Sequence, residues 1–267
     1  MTLAGCSATA AAPSAGSAPS TVRASMSPAA PASVTPSPVP TPSPTPPPPA
    51  PAPAPVVVLD PGHNGGNAGH PEIVDAPVPD GAGGTKPCNT TGTETNAGYP
   101  EHAFTWDVAL RMRDMLTAAG VTVVLTRQDD VGVGPCVDVR GQTSARVGAA
   151  AFVGIHGDGA AAAGRGFHVI TSSLAPAGAA VAARSTALAT AVRDKMTAVE
   201  PVSTYTGIDG LNPRGDLAGL NLNAAPAIYV ECGNMRNATD AALMSNTGGR
   251  DRIAAQLTAG LLAFLGR

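Results

Sequence analysis

Three polar side chains lie at or just after apolar segments that have the length of a strand. A strand buried in a core would ordinarily carry no polar side chain at these positions. His63 follows the segment 56–59 after a short turn, His156 ends the segment 151–156, and Glu231 directly follows a third such segment. Burying an unpaired polar group costs free energy, so these residues are expected at strand ends. Ligands of α/β proteins bind outside the carboxyl ends of the strands. The sequence therefore predicts that the three side chains meet at one edge of a sheet.

Two imidazoles and one carboxylate are the ligand set of many catalytic zinc sites, which keep one position open for water. Zinc lowers the pKa of that water from about 15.7 to about 7, and a second carboxylate then moves its proton to the leaving group. We interpret His63 and His156 as ligands of one Zn²⁺ per chain, and Glu231 as the general base whose pKa burial would raise. The alternatives are histidines that only hydrogen-bond to loops, and a salt bridge from Glu231 to Arg236.

The carboxylate ligand is predicted to be Glu101, which follows Pro100 at the start of a predicted helix. Glu72 and Glu94, in the loop before that helix, are competitors, and His102 is a further ligand candidate next door. A carboxylate in the first helical turn is also favoured by the helix dipole, by ~0.3–1 kcal/mol. Position along the chain does not decide between these alternatives.

The elements that must position these residues alternate along the chain. Continuous apolar runs indicate strands buried on both faces, and the stretches between them indicate helices. Predicted strands cover 56–59, 121–125, 151–156, 167–170 and 228–230, and predicted helices cover 100–120, 140–149, 178–197 and 249–265. This alternation is typical of the α/β class. We predict one domain at 56–267 with a twisted, mostly parallel mixed sheet flanked by helices on both faces.

Four parts of the sequence carry the signature of a known family. They are Val58-Leu59-Asp60-Pro61-Gly62-His63-Asn64-Gly65-Gly66, Glu101 at the head of the first helix, Ile155-His156-Gly157-Asp158, and Pro226-Ala227-Ile228-Tyr229-Val230-Glu231-Cys232-Gly233. Together they resemble the zinc-dependent N-acetylmuramoyl-L-alanine amidases of the amidase-3 family, over essentially all of 56–267. The resemblance implies zinc on His63, Glu101 and His156, with Glu231 as the catalytic base. The sequence departs from the family at Asp158, usually Asn, and at Asn234, usually Phe.

The resemblance also implies a reaction and a substrate. The bond cut would be the amide between N-acetylmuramic acid and the L-alanine of the peptidoglycan stem peptide, in cell-wall remodelling, septum cleavage or fragment recycling. Asn64, Asn67, Arg214 and Asp216 are candidate substrate contacts. The alternatives are turn residues for the two asparagines and a local surface ion pair for the other two. Rival functions are a zinc peptidase acting on stem peptides and a non-catalytic wall-binding lipoprotein.

Residues 1–55 form a Pro/Ala/Ser-rich segment that we predict to be disordered. Of the 27 prolines, 16 lie in this segment, which has no aromatic residue and Arg23 as its one charged side chain. Such a composition cannot offset an ordering cost of roughly 1–2 kcal/mol per residue. Leu3-Ala4-Gly5-Cys6 resembles a bacterial lipobox, which would make Cys6 a lipidation site. Because no signal-peptide sequence precedes it, either translation starts further upstream or the match is a coincidence.

The segment predicts an exported protein of the periplasm or cell wall, with the membrane contacted only through a lipid anchor on its outer face. In an oxidising compartment Cys88 and Cys136, both in Gly/Pro-rich loops, are natural disulfide partners. Cys232 follows a strand and is predicted to be a buried free thiol, and the lack of CxxC spacing argues against a zinc–thiolate site. The net charge of −3 without a Lys/Arg cluster argues against a nucleic-acid partner. We expect a monomer.

Overall fold

The fold is that of a computed structural model, which describes residues 21–25, 27, 30 and 53–267. The chain divides into two units, 1–50 and 51–267, and the second unit contains the regular secondary structure described below. Cys6, with the predicted lipobox, and most of the Pro-rich segment lie outside the described residues. Within the part of the chain that is described, no helix combines the length and apolar character needed to cross a membrane.

A mixed sheet of six strands forms the centre of the domain. The described strands are β1 (Val56–Pro61), β2 (Pro77–Pro79), β3 (Thr85–Pro87), β4 (Thr122–Leu125), β5 (Ala151–Asp158), β6 (His168–Ser172), β7 (Leu211–Arg214) and β8 (Ala227–Asn234). The six-stranded sheet has the order β4–β1–β5–β8–β6–β7, and β2 pairs with β3 in a separate hairpin. Within the large sheet, every neighbouring pair is parallel except β6 with β8.

Helices cover the two faces of the sheet unequally. The described α-helices are α1 (Pro71–Val74), α2 (Glu101–Ala118), α3 (Val137–Gly141), α4 (Thr143–Val147), α5 (Ala179–Met196), α6 (Ala218–Asn221), α7 (Ala238–Ser245) and α8 (Thr247–Leu265). The long helices α2, α5 and α8 enclose the main hydrophobic core. The other face carries the short helices α4 and α6, with α3 packed on α6. The predicted α/β class with a mostly parallel mixed sheet is confirmed. The face of the sheet that carries only short helices has room for a cavity.

Strands β5 and β8 are longer than the apolar runs that predicted them. Their pairing continues through His156 with Glu231 and through Asp158 with Asn234, with a bulge in between. Strand β5 ends at Asp158, two residues past His156, whereas the prediction that Glu231 terminates its strand is wrong, because β8 continues to Asn234. The reason is that the backbone hydrogen bonds of the ladder continue past the last apolar side chain, and a bulge can redirect side chains without ending the strand.

The single helix predicted over 140–149 is also wrong, because the structure has two short helices, α3 and α4, that meet at Gln142. Gly141, the last residue of α3, lies against the backbone of Gly219 in α6, and a Cβ atom at position 141 would crowd the Gly219 carbonyl. This close approach of two helices depends on tertiary packing. A one-dimensional apolar pattern does not reveal it.

The segment 64–99, for which the sequence predicted no helix or strand, contains α1 and the hairpin β2–β3. The hairpin turn is closed by Asp80, whose carboxylate accepts hydrogen bonds from the backbone N–H groups of Ala82 (2.7 Å) and Gly84 (2.9 Å). The side-chain amide of Asn221 donates to the Asp80 carbonyl at 3.1 Å. The hairpin is therefore fixed both internally and to helix α6.

A disulfide fixes the base of the hairpin. Cys88 pairs with Cys136, as predicted, and the Cys88 carbonyl accepts a 2.7 Å hydrogen bond from the Val137 N–H at the start of α3. Cys232 is a buried free thiol, which confirms that prediction as well. The chain that leaves the hairpin is thus joined to α3 by one covalent bond and one hydrogen bond.

Removing this crosslink in a Cys88→Ser/Cys136→Ser variant is expected to lower the free energy of unfolding by about 2–4 kcal/mol. The two cysteines are 48 residues apart, so opening the loop increases the conformational freedom of the unfolded chain. Urea unfolding followed by circular dichroism measures the loss. Dithiothreitol should move the wild-type midpoint to that of the variant and leave the variant unchanged. A variant as stable as the oxidised wild type would contradict the prediction.

Candidate metal centre and active site

His63 enters the site on the turn that follows β1. Its backbone has φ of 59°, in the left-handed region that few residues other than glycine adopt. The ring Nδ1 lies 3.1 Å from the carbonyl oxygen of Thr90, and Nε2 lies 3.1 Å from Oε2 of Glu101. A ring that donates its Nδ1–H to the Thr90 carbonyl presents Nε2 as an acceptor toward the site.

Glu101, the first residue of α2, lies between the two histidines. Its Oε2 is 3.1 Å from His63 Nε2 and its Oε1 is 3.0 Å from His156 Nδ1. The backbone N–H groups of Thr93 and Gly157 each donate to the carboxylate at 3.0 Å. Burial alone would raise the pKa of Glu101, but attraction to His63 and hydrogen bonds with both histidines hold that pKa well below its ordinary value.

The ring of His156 is held from two sides. On one side it packs against Gly62, where a Cβ atom would overlap the imidazole. On the other side it lies against the ring of Tyr229, with centroids 5.0 Å apart. Glycine is therefore required at position 62, because any larger residue would displace the imidazole of His156.

His63, Glu101 and His156 each offer one ligand atom, and these atoms all lie within 4.8 Å of one another. Among the described residues, this is the one group of three or more His, Cys, Asp or Glu side chains that converges in this way. Burial would lower the pKa of His63, but the charge of Glu101, together with the hydrogen bonds to Glu101 and to the Thr90 carbonyl, raises it. The structure thus brings together the trio that the sequence predicted.

The competing ligand candidates point elsewhere. Glu72 is exposed and lies 3.1 Å from the ring of His70. Glu94 is exposed in its loop. The Nδ1 atom of His102 is 2.9 Å from the carboxylate of Asp130, so this ring is paired away from the trio. Glu101 is the carboxylate that reaches the two histidines.

Glu231 lies beside the trio on β8. Its Oε2 atom is buried and has no hydrogen-bond partner among the described residues. Burial raises the pKa of Glu231 well above its ordinary value, and the nearby carboxylate of Glu101 raises it further. The alternative salt bridge to Arg236 is absent, since Arg236 binds the loop at 94–96 instead. A buried carboxyl group with a free oxygen is suited to exchanging protons with a ligand.

The paired side chains of Asp60 and Arg140 support the backbone next to the trio. Both side chains are buried, and Arg140 Nη1 donates to Asp60 Oδ1 at 2.8 Å and to the Pro61 carbonyl at 2.7 Å. Arg140 Nη2 donates to the carbonyl of His63 at 2.6 Å. Burial would raise the pKa of Asp60, but the charge of Arg140, together with hydrogen bonds from Thr126 and Arg140, lowers it. Arg140 thereby holds the turn that carries His63.

A cavity of about 370 Å³ opens over these residues. Its wall contains the trio, Glu231, and the Asp60–Arg140 pair, together with Lys86, Val137, Asp158 and Leu217. Asp60 and Tyr229 in this wall belong to the sheet face that carries only short helices. The thin cover on that face therefore leaves the site accessible to a ligand.

The four predicted substrate contacts do not lie in the wall of this cavity. Asn64 and Asn67 are buried, and their amides bind loop backbone: Asn64 donates to the Gly134 carbonyl at 3.1 Å and Asn67 to the Thr90 carbonyl at 2.8 Å. Arg214 and Asp216 form an ion pair with each other at 2.6 Å on the surface. The contacts that these four side chains make are those of structural turn residues and of a local ion pair, and their role in binding substrate stays a prediction.

The two departures from the family motifs have local partners. Asp158 accepts a 3.0 Å hydrogen bond from the hydroxyl of Tyr205. Asn234 donates to the carbonyls of Ala161 at 2.9 Å and Gly164 at 2.8 Å. Both polar side chains therefore hydrogen-bond to neighbouring loop residues, and neither displaces a member of the trio.

Comparison with known proteins identifies the family. The family model described as N-acetylmuramoyl-L-alanine amidase matches residues 57–263. The chain belongs to this amidase family. The amidase is 47% identical over 211 residues to a curated N-acetylmuramoyl-L-alanine amidase of Mycobacterium tuberculosis, and the match covers 79% of this chain and 86% of that relative.

Solved structures of related amidases have the same fold. Ami1 of Mycobacterium smegmatis is 46% identical with a TM-score of 0.76, covering 80% of this chain and 98% of that one. The apo form of Ami1 of Mycobacterium abscessus is 44% identical with a TM-score of 0.75, covering 80% and 100%. The predicted enzyme class is confirmed: the protein is a peptidoglycan amidase that hydrolyses the N-acetylmuramoyl-L-alanine bond.

Sequence reasoning missed three residues in the cavity wall of the amidase. Arg140 lay inside a predicted helix, where an arginine is ordinarily a surface charge. Tyr229 counted only as an apolar strand residue. Lys86 lies in a stretch for which the sequence predicted no strand or helix, although it is one of two lysines in the whole chain. In the sequence, the scarcity of lysine was the one feature that could have drawn attention to Lys86.

Proposed function

We propose that the amidase binds one Zn²⁺ through His63 Nε2, His156 Nδ1 and a carboxylate oxygen of Glu101. The convergence of these atoms within 4.8 Å is the observation that supports the proposal. Two imidazoles and one carboxylate fit hydrolytic zinc, whereas Mg²⁺ and Ca²⁺ favour sites made of oxygen ligands. The N–H groups of Thr93 and Gly157 orient the carboxylate, as outer hydrogen bonds commonly do for metal ligands.

When bound, zinc would polarise the carbonyl of the scissile amide and lower the pKa of a water molecule beside it. Glu231 takes the proton of that water at its free Oε2 and returns it to the nitrogen of the departing L-alanine. The raised pKa of Glu231 suits both steps, because the carboxyl group must first accept a proton and then release it. Tyr229 and Arg140 hold the two histidines in place for this reaction.

We further propose that the amidase works outside the cytoplasm on wall peptidoglycan or its fragments. The Cys88–Cys136 disulfide supports this location, because such bonds persist in oxidising compartments. A lipid anchor on Cys6 is part of the same proposal. Labelling cells with a radioactive fatty acid would test the anchor: wild-type protein should incorporate the label, and a Cys6→Ser variant should not.

Metal removal tests the zinc proposal. Purified protein is expected to contain about one zinc per chain, as a three-ligand catalytic site requires. Dialysis against a chelator should abolish release of L-alanine amino groups from muropeptides, and adding zinc should restore it. Mass spectrometry of the products should show free muramic acid lactyl carboxylates. New termini within the stem peptide would instead identify a peptidase, and full turnover without metal would contradict the zinc proposal.

A further inference from the structure

We propose that Lys86 binds a carboxylate in the peptide part of the substrate and gives the amidase a preference for acidic stem peptides. This inference rests on the proposed zinc amidase function and adds a residue that determines specificity. Lys86 lies in the wall of the catalytic cavity, on strand β3, and is partly buried there.

The charged residues of the cavity wall single out Lys86 as the side chain suited to an anionic group. Six charged residues line the cavity: Asp60, Glu101, Asp158, Glu231, Arg140 and Lys86. Asp60 and Arg140 neutralise each other at 2.8 Å, and Glu101 lies between two histidines. Asp158 and Glu231 are the remaining acidic side chains of the wall, and Lys86 is the ammonium group that it offers to an entering ligand. A carboxylate in the peptide part of the substrate would therefore be attracted to Lys86 rather than to the positions beside Asp158 and Glu231.

Arg140 cannot serve this purpose, because its hydrogen-bonding capacity is used. A guanidinium group has five N–H donors. The buried guanidinium of Arg140 makes five hydrogen bonds, to Asp60 and to the carbonyls of Pro61, His63, Gly134 and Pro135. Lys86 makes one, from Nζ to the Asp216 carbonyl at 2.9 Å, and an ammonium group has three donors. Among the described residues of the wall, Lys86 is the cation with donors to spare.

The position of Lys86 is fixed before any ligand arrives. It pairs with Val78 across the hairpin, and Cys88, two residues further on, is bound to Cys136. The Asp216 carbonyl orients its ammonium group. A side chain that is already ordered loses little conformational freedom on binding, so more of the interaction contributes to affinity.

Two defined substrates test the proposal. Both are N-acetylmuramoyl-L-alanyl dipeptides, identical except that every carboxyl group of the second residue is free in one and amidated in the other. Steady-state kcat and KM are measured for wild type, Lys86→Met, Lys86→Arg and Lys195→Met. Lys195, on α5, is the other lysine of the chain and lies outside the cavity wall, so it is the matched control. Zinc content and Tm are measured for each variant.

The wild type is expected to prefer the acid over the amide by about 10-fold or more in kcat/KM, as for a hydrogen bond to a charged group. Lys86→Met should remove this preference by raising KM for the acid, with kcat and zinc content unchanged. Lys86→Arg should keep part of the preference, and Lys195→Met all of it. The preference should shrink with added salt, since the contact is partly exposed.

Equal losses on both substrates in Lys86→Met would overturn the assignment and show that Lys86 only supports the fold of the hairpin. An undiminished preference in that variant would overturn it as well. In both cases the wild type still cleaves the muramoyl–alanine bond, so the proposed function stands. A zinc-loaded wild type that cleaves neither substrate would overturn the proposed function and this inference together.

Discussion

Replacing Glu231 with Gln is expected to lower kcat by about 10²–10⁴-fold, the range typical of a lost general acid–base. Glutamine has nearly the shape of glutamate but can neither accept the proton of the attacking water nor deliver one to the leaving nitrogen. Because Glu231 has a buried oxygen without a partner among the described residues, the substitution should not lower Tm. Single-turnover kinetics on a muropeptide measure the loss.

Zinc content distinguishes this effect from damage to the metal centre. Glu231→Gln should retain zinc as the wild type does, because Glu231 is not one of the three converging side chains. Glu72→Gln is the matched control, since Glu72 is exposed and pairs only with His70. Turnover within a factor of a few of wild type in Glu231→Gln would remove the proposed base from the mechanism.

The second large effect is expected from Arg140→Met, which should lower the free energy of unfolding by about 3–5 kcal/mol. The substitution leaves the carboxylate of Asp60 buried without its cation and frees the carbonyls that Arg140 binds. One of these belongs to His63, whose backbone lies in the left-handed region. Zinc affinity is therefore expected to fall by about 10–100-fold, as when the partners of a metal ligand are lost.

Urea unfolding of zinc-free protein measures the stability, and competition with a chromophoric chelator measures zinc affinity. Arg140→Lys keeps the charge beside Asp60 but cannot span the carbonyls of Pro61 and His63, so it should fall between wild type and Arg140→Met on both scales. Arg146→Met, at an exposed position on α4, should match wild type. If Asp60→Asn in the Arg140→Met background recovers none of the lost stability, the buried ion pair is not the cause.

Much of the candidate site followed from residue types beside apolar runs. His63, His156 and Glu231 each lie at or just after such a run, and parallel strands bring those positions to one sheet edge. Glu101 was harder to single out, because helix dipoles also favour glutamate at that position. The family resemblance favoured Glu101 over Glu72 and Glu94, and its contacts of 3.1 Å and 3.0 Å with the two histidines set it apart from them in the structure.

The order of residues along the chain thus determined the α/β class, the converging trio, the neighbouring glutamate and the Cys88–Cys136 pair. The tertiary structure alone decided how that trio is supported and what else faces the cavity. Arg140 reaches the His63 carbonyl across 77 residues, and Lys86 reaches the Asp216 carbonyl across 130. Contacts of this kind depend on how the whole chain packs. The sequence next to an arginine or lysine does not show whether its side chain lies on the surface or in the wall of a cavity.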